Sequence, residues 1–312
     1  MRNNGGNVMR KSVKSVNFIK SVVAFMVVML SLLVFLDWKL PQAQAAVQYT
    51  FYASPTGSGT TCSLASPCSL TGVQTKVRTV NAAMTGDIEV KLRGGQYYLS
   101  TPLTLTELDS GNNNFTVFWS NYLTEIPELV GGTLVTGWTV DSGSIYKADV
   151  GTGLTFNALY ENAGRAIKAR YPNTGYLNDS QGSGGIGEPN FLQAWFNFTS
   201  GDLPNWPDMV GGEVNVWGYF NWFNSTLPIT AFDFTNRQVT LSRPPFLGLI
   251  DINTTPYGSK QNANDRYFIQ NVKSALDVAG EYYYNSSTGF LYYYPQTLPI
   301  ANQEIVLPRM KN

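Results

Sequence analysis

The segment covering residues 87–105 constrains the fold more than any other part of the sequence. Over residues 88–93, apolar and charged side chains alternate, which is the period-2 pattern of a strand with one buried face. The following pair, Gly94-Gly95, lets the backbone take a positive φ and turn sharply. The apolar side then resumes at Tyr97, Leu99, Leu103 and Leu105. A strand, a sharp corner and a second strand fit either one coil of a β-solenoid or a β-hairpin.

A predicted helix precedes this segment and favours the solenoid. Its apolar residues recur at the spacing of one helical face: Val73, Val77, Val80 and Met84. Ser69 or Thr71 can cap its start, and Gly86 stands where a C′ glycine ends a helix. A solenoid must cover its open end, and an amphipathic helix just before the first coil does so.

Residues 129–135 repeat the strand, Gly-Gly, strand arrangement and are a candidate second coil. The pattern changes after residue 138. Residues 139–300 contain many short β-type runs separated by Asn, Gly, Asp and Pro turns, which predicts an antiparallel β-sandwich.

Five motifs carry a family resemblance: Phe51–Gly57, Leu92–Leu99, Ala169–Asn173, Gly280–Tyr284 and Thr288–Pro295. In these residues the chain resembles the bacterial right-handed parallel β-helix proteins of the pectin-lyase-like class, and more specifically their glycoside hydrolase branch. The resemblance implies an all-β fold: the start of a right-handed parallel β-helix with an N-terminal capping helix, plus an inserted antiparallel β-sandwich module.

The predicted organisation has four parts. Residues 1–45 are a signal peptide, residues 46–138 the β-helix cap and first coils, residues 139–300 the inserted sandwich, and residues 301–312 the return to a truncated β-helix. In the family most coils would follow, so we expect the apolar edge of the last coil, including Val130, Leu134 and Ile305, to face solvent.

The signal peptide is predicted from a basic start, an apolar run over residues 21–36 and the cleavage pattern Ala43-Gln44-Ala45. We expect a secreted protein, or a cell-surface one if the segment stays as an anchor. Without residues 1–45 the chain has 15 basic and 20 acidic residues, a net charge of −5. This charge argues against a nucleic-acid partner, and we expect no membrane association after cleavage.

Cys62 and Cys68 are the only cysteines and lie in a loop of an exported chain, so a disulfide is expected, with two free thiols as the alternative. The chain has no histidine, which excludes Ser-His-Asp catalysis and the common zinc sites. We predict no cofactor and no metal site. The stretch 262–265 is the nearest approach to a calcium site, and a polar turn explains it better.

A glycosidase needs two carboxylates on either side of the scissile bond. Candidate acids outside the signal segment include Glu161, Glu188, Asp202, Asp208, Glu213, Asp265 and Glu281. The sequence pairs none of them in space, and the family's catalytic acids lie on coils downstream, so no catalytic residue is assigned.

Aromatic and basic residues are the better candidates for binding a polysaccharide or oligosaccharide. Trp217 and Trp222 belong to an aromatic-rich stretch, and flat aromatic faces stack on sugar rings. Alternation places these two on opposite sides of a strand, so core packing competes with a sugar-binding surface. The basic cluster Arg165, Lys168 and Arg170 can hold the carboxylate of an acidic sugar, or form structural ion pairs.

Three functions therefore remain open. The first is the N-terminal portion of a β-helix glycoside hydrolase acting on polysaccharide, inactive by itself. The second is a non-catalytic glycan-binding or surface module. The third is part of a polysaccharide lyase.

Overall fold

The structure, a computed structural model, describes residues 45–182, 194–217, 223–245 and 265–310. These ranges contain one α-helix, α1 (Leu70–Val80), and many strands, so the fold is mostly β as predicted. Of the predicted signal peptide, only Ala45 is among the described residues.

The described strands are β1 (Val47–Ala53), β2 (Asp87–Leu92), β3 (Gly95–Tyr98), β4 (Val117–Asn121), β5 (Pro127–Val130), β6 (Gly132–Leu134), β7 (Thr139–Ser142), β8 (Ile145–Asp149), β9 (Leu159–Glu161), β10 (Gly164–Lys168), β11 (Arg170–Tyr171), β12 (Leu177–Gly182), β13 (Trp195–Phe198), β14 (Glu213–Val216), β15 (Ser225–Asp233), β16 (Gln238–Leu241), β17 (Arg266–Gln270), β18 (Glu281–Tyr284), β19 (Phe290–Tyr293) and β20 (Ile305–Pro308).

The first five strands form a parallel-stranded unit. β1, β2 and β4 make a three-stranded parallel sheet, and β3 pairs in parallel with β5. Ile88 in β2 pairs with Val117, 29 residues later, and Tyr97 in β3 pairs with Leu129. Two successive layers, β2–β3 and β4–β5, therefore stack in register, and Gly95 makes the corner of the first layer at φ 111°.

Helix α1 covers the core of this unit. Val73 and Val77 are fully buried and pack with Ile88 and Val90. The helix begins at the residue after Ser69, whose Oγ accepts a hydrogen bond from the backbone N–H of Gly72 at 3.0 Å.

The predicted role of Gly86 as the glycine that ends the helix is wrong. α1 ends at Val80, and a 3₁₀ turn follows at residues 81–83. A Cβ added at Gly86 would lie 2.3 Å from the carbonyl oxygen of Ala46. Glycine is needed there because the backbone entering β1 approaches it closely.

The loop after β1 contains a disulfide between Cys62 and Cys68, and both residues are buried. The N–H of Tyr52 donates to the carbonyl of Cys62 at 2.7 Å, and the N–H of Cys68 donates to the carbonyl of Tyr52 at 3.0 Å. The loop is thus hydrogen-bonded to β1, and its sulfur atoms belong to the core beneath α1.

An eight-stranded sheet follows, in the order β6-β20-β9-β10-β18-β19-β8-β7. Its pairs are antiparallel except for β10 with β18. β6 lies in this sheet, so residues 129–135 are not a second coil: β5 joins the parallel unit and β6 leaves it. A Cβ at Gly132 would lie 2.7 Å from the carbonyl oxygen of Leu307, which shows how closely β6 and β20 approach.

Residues 305–308, predicted to return to the β-helix, form β20 and pair antiparallel with β6 and β9. Both edges of β20 are occupied, and Ile305 is fully buried. The expectation that Ile305 faces solvent is wrong for this reason. Val130 and Leu134 are half-buried.

The remaining strands form a closed barrel. The order is β11-β17-β12-β13-β16-β15-β14, and β14 also pairs with β17. Tyr267 on β17 pairs with Leu177 of β12 and with Val216 of β14, so the ring closes through β17. The predicted antiparallel pairing is present, but the architecture differs from a two-layer sandwich because the inward side chains of one ring pack against one another.

Among the described residues, no helix has the length and apolar character needed to cross a membrane. The predicted domain boundaries at residues 138 and 300, on either side of the inserted sandwich, stay predictions.

Candidate functional site

A cleft of about 860 Å³ lies on the outer face of the barrel, against the chain that joins β10 to β11. One wall is formed by outward residues of β14, β15 and β17, and the other by residues 165–168 and Arg170. It brings together two of the three residues predicted to bind sugar, Trp217 and Arg170. The third, Trp222, lies outside the described residues.

Strand alternation explains why these side chains face the cleft. Val214 and Val216 of β14 point into the barrel and are buried. Glu213, Asn215 and Trp217 therefore point outward. On β17, Tyr267 and Ile269 are buried, while Phe268 and Gln270 line the cleft.

Trp217 is half-buried and lies outside the barrel core. Its ring contacts Tyr176 edge to face, with centroids 5.1 Å apart, and lies 5.9 Å from the ring of Phe268. The guanidinium of Arg266 lies 4.8 Å from the rings of both Trp217 and Tyr176. These contacts fix the indole and leave part of it open to the cleft.

Arg170 is held firmly in the opposite wall. Its Nε donates to the carbonyl of Pro172 at 2.9 Å, and its Nη2 donates to the carbonyl of Gly175 at 2.7 Å. The guanidinium lies 3.9 Å from the ring centroid of Phe268. Burial lowers the pKa of Arg170, while Tyr176 and Glu281 act in the opposite direction. The structure thus gives Arg170 a positioning role for the turn that follows it.

A network of polar groups lies at the centre of the cleft. Lys168 Nζ forms an ion pair with Glu213, at 2.9 and 2.8 Å from its two carboxylate oxygens. Gln270 Nε2 donates to Glu213 at 2.7 Å, and Thr226 Oγ1 donates to Asn215 Oδ1 at 2.6 Å. The side chains are therefore already oriented by one another.

The backbone of Ala169 connects the two sides of the cleft. Its N–H donates to the carbonyl of Tyr282 in the eight-stranded sheet at 2.7 Å, and its carbonyl accepts from the N–H of Asn271 at the end of β17 at 2.8 Å. Ala169 itself is fully buried in the barrel core.

Tyr282, on β18, is 1% exposed, and its hydroxyl has no hydrogen-bond partner among the described residues. Burial raises its pKa, and the charges acting on it most strongly are those of Glu213 and Arg165, both cleft residues.

Sequence reasoning missed Phe268 and Gln270 as site residues, because only the pairing of β17 with β14 brings them next to Glu213 and Asn215. The polar–apolar alternation of residues 213–217 was a usable signal for an outward face. Among the described residues that line the cleft, Glu213 is the single carboxylate. In the described part of the chain no cluster of three acid, cysteine or histidine side chains suits a metal ion.

No family model matches the chain, and no curated protein matches it. A solved structure described as "Glycoside hydrolase" is similar, with a TM-score of 0.60 and 21% sequence identity. The similarity covers 83% of this chain and 46% of the other, so the chain spans less than half the length of that protein. At this identity the comparison concerns the fold: the chain has the fold of part of a glycoside hydrolase.

Proposed function

We propose that this chain is the carbohydrate-binding part of a glycoside-hydrolase-type protein, and that the cleft beside β14 and β17 is where the sugar binds. The observation that carries the proposal is the fixed, half-exposed indole of Trp217 beside a set of oriented polar groups. The similarity in fold to a glycoside hydrolase supports it.

The chemistry of the cleft suits a sugar. An indole face packs on the apolar face of a pyranose ring, while hydroxyl groups need donors and acceptors at its rim. Glu213, Asn215 and Gln270 supply both on the same barrel face as Trp217. Because their hydrogen bonds already orient them, less side-chain entropy is lost on binding.

The proposal is for binding in this cleft and not for hydrolysis there. Glycoside hydrolysis uses two carboxyl groups about 5 to 10 Å apart. The described lining contributes one, Glu213, and Lys168 and Gln270 occupy it. Hydrolysis by a protein with this cleft would need acids from elsewhere.

Two further parts of the proposal concern architecture and location. The two parallel layers β2–β3 and β4–β5 are proposed as the first coils of a right-handed parallel β-helix. Secretion is proposed from the pattern of residues 1–45 and is supported by the Cys62–Cys68 disulfide, which suits an oxidising compartment.

The test is a glycan array followed by titration of the best ligand. We expect retention of a plant or microbial glycan, and a loss of affinity of at least about tenfold in Trp217→Ala, since about 1.4 kcal/mol of stacking is removed. Trp222→Ala tests the residue predicted from the sequence.

Phe118→Ala is the matched control, because Phe118 is a 39% exposed aromatic residue on β4 in the parallel-stranded unit. It should bind within twofold of the wild type. Retention of no glycan, or equal binding by Trp217→Ala, would overturn the proposal. Release of reducing sugar, or of unsaturated products absorbing in the ultraviolet, would instead favour a hydrolase or a lyase.

A further inference from the structure

The cleft carries an excess of positive charge. Arg165, Lys168 and Arg170 line it, against the single described carboxylate of Glu213. Because Lys168 and Glu213 pair with each other, the described lining of the cleft offers no second carboxylate to the two arginines, although Glu281, which does not line the cleft, acts on Arg170. The chain after residue 45 is acidic as a whole, so this patch opposes the overall sign of its charge. Such a patch attracts anionic ligands.

The two arginines differ in what they can offer a ligand. Arg170 uses Nε and Nη2 on backbone carbonyls and lies against Phe268, so it contributes charge from a fixed position. Arg165 is exposed, and its Nη2 donates a hydrogen bond to the carbonyl of Asn157 at 3.2 Å. A guanidinium has five N–H donors, so Arg165 keeps enough of them to hold a carboxylate through two parallel hydrogen bonds.

We infer that the cleft selects acidic sugars, with the guanidinium of Arg165 binding the carboxylate of a uronic acid residue while the sugar ring packs on Trp217. This inference rests on the proposed carbohydrate-binding function and adds the ligand class. A carboxylate at C6 distinguishes a uronic acid from the neutral hexose, in which the same position carries a hydroxymethyl group.

The experiment compares two ligands that differ in this group alone: a β-1,4-linked glucuronic acid trimer and cellotriose. Both are titrated calorimetrically into the full chain in 50 mM and 500 mM NaCl. In 50 mM salt we expect the acidic trimer to bind at least about tenfold more tightly, as a charge-assisted pair contributes roughly that much. In 500 mM salt the ratio of the two affinities should shrink at least fivefold, while the affinity for cellotriose stays within twofold of its value in 50 mM salt.

In 50 mM NaCl, Arg165→Gln should remove most of the preference for the acidic trimer over cellotriose. Its affinity for cellotriose should stay within twofold of the wild-type value. Lys76→Gln, which removes one positive charge from α1, is the matched control and should keep the preference. The wild-type salt series tests the inference even if Arg165→Gln fails to fold.

Equal binding of the two trimers, or a preference that salt and Arg165→Gln leave unchanged, would overturn the selection of acidic sugars and leave the carbohydrate-binding role standing. Binding of neither trimer would overturn the inference as well, and the glycan array with Trp217→Ala then decides the proposed function separately.

Discussion

Asp179 and Asp265 are two buried carboxylic residues that meet where β12 approaches β17. The N–H of Asp265 donates to Asp179 Oδ1 at 2.7 Å, and the N–H of Asp179 donates to the carbonyl of Asp265 at 3.1 Å. Burial, together with the charge of Asp265, raises the pKa of Asp179 to about 7. Folding therefore favours the protonated form of Asp179, and the stability of the barrel depends on pH near neutrality.

The sign of this dependence can be measured. Between the ordinary pKa of 3.8 and about 7, the folded chain keeps a proton on Asp179 that the unfolded chain releases. Its free energy of unfolding should therefore fall as pH rises, by up to about 1.4 kcal/mol per pH unit from this group. Asp179→Asn should flatten that slope in urea denaturation from pH 4 to 8. The exposed Glu107→Gln is the control, and an unchanged slope in Asp179→Asn would contradict the assignment.

At the scale of single elements, the loop after β1 is a structural part of the parallel-stranded unit. Cys62 and Cys68 are as buried as the valines of α1 that pack beside them. The sequence predicted a disulfide between two cysteines of a loop. The structure adds that the sulfur atoms fill core volume, so their removal affects the packing of β1 and α1 as well as the freedom of the loop.

The double variant Cys62→Ala with Cys68→Ala should therefore lose at least about 2 kcal/mol of unfolding free energy, the value expected for closing so short a loop. Lost packing adds to that figure. Denaturation with and without a reducing agent measures this loss. The unfolding free energy of the wild type should fall in the reductant, and that of the double variant should stay the same. A change below about 0.5 kcal/mol would show that the loop is independent of the core.

The elements of the parallel-stranded unit were largely predictable because their signals are local. The spacing of Val73 and Val77 predicted α1, and the alternation in residues 88–93 predicted the strand β2. Of the two capping residues that the sequence offered, Ser69 and Thr71, the structure shows Ser69. The role of residues 129–135 was not predictable in the same way. Their pattern is that of two strands, and only the partners of those strands, β3 in one case and β20 in the other, show that they belong to different sheets.

At the scale of the whole molecule, distant parts of the chain complete each sheet. β20 pairs with β6, which lies more than 160 residues earlier, and the barrel closes by pairing β17 with β14. Alternation of polar and apolar residues is the same in a closed ring and in a sandwich, so the sequence predicted antiparallel strands but not closure. For the same reason Arg170 and Trp217 were identifiable as candidates, whereas their common cleft with Phe268 and Gln270 was not.

The position of β20 between β6 and β9 gives a further expectation. Leu307 is 1% exposed, so Leu307→Ala should lower the unfolding free energy by about 2 to 5 kcal/mol, the usual cost of removing a buried leucine side chain. Leu298→Ala, at a 52% exposed position, should change it by less than about 0.5 kcal/mol. Urea denaturation of both variants checks this. Equal effects of the two substitutions would mean that β20 is not packed into the sheet as described.

Ala169 gives the cleft a property that its lining residues do not reveal. Since one residue is hydrogen-bonded both to the eight-stranded sheet and to the end of a barrel strand, the two sheets cannot separate at this point without breaking one of these bonds. The wall of the cleft that contains Arg165 and Arg170 is thus tied to the barrel through main-chain atoms, independently of the side chains that line it.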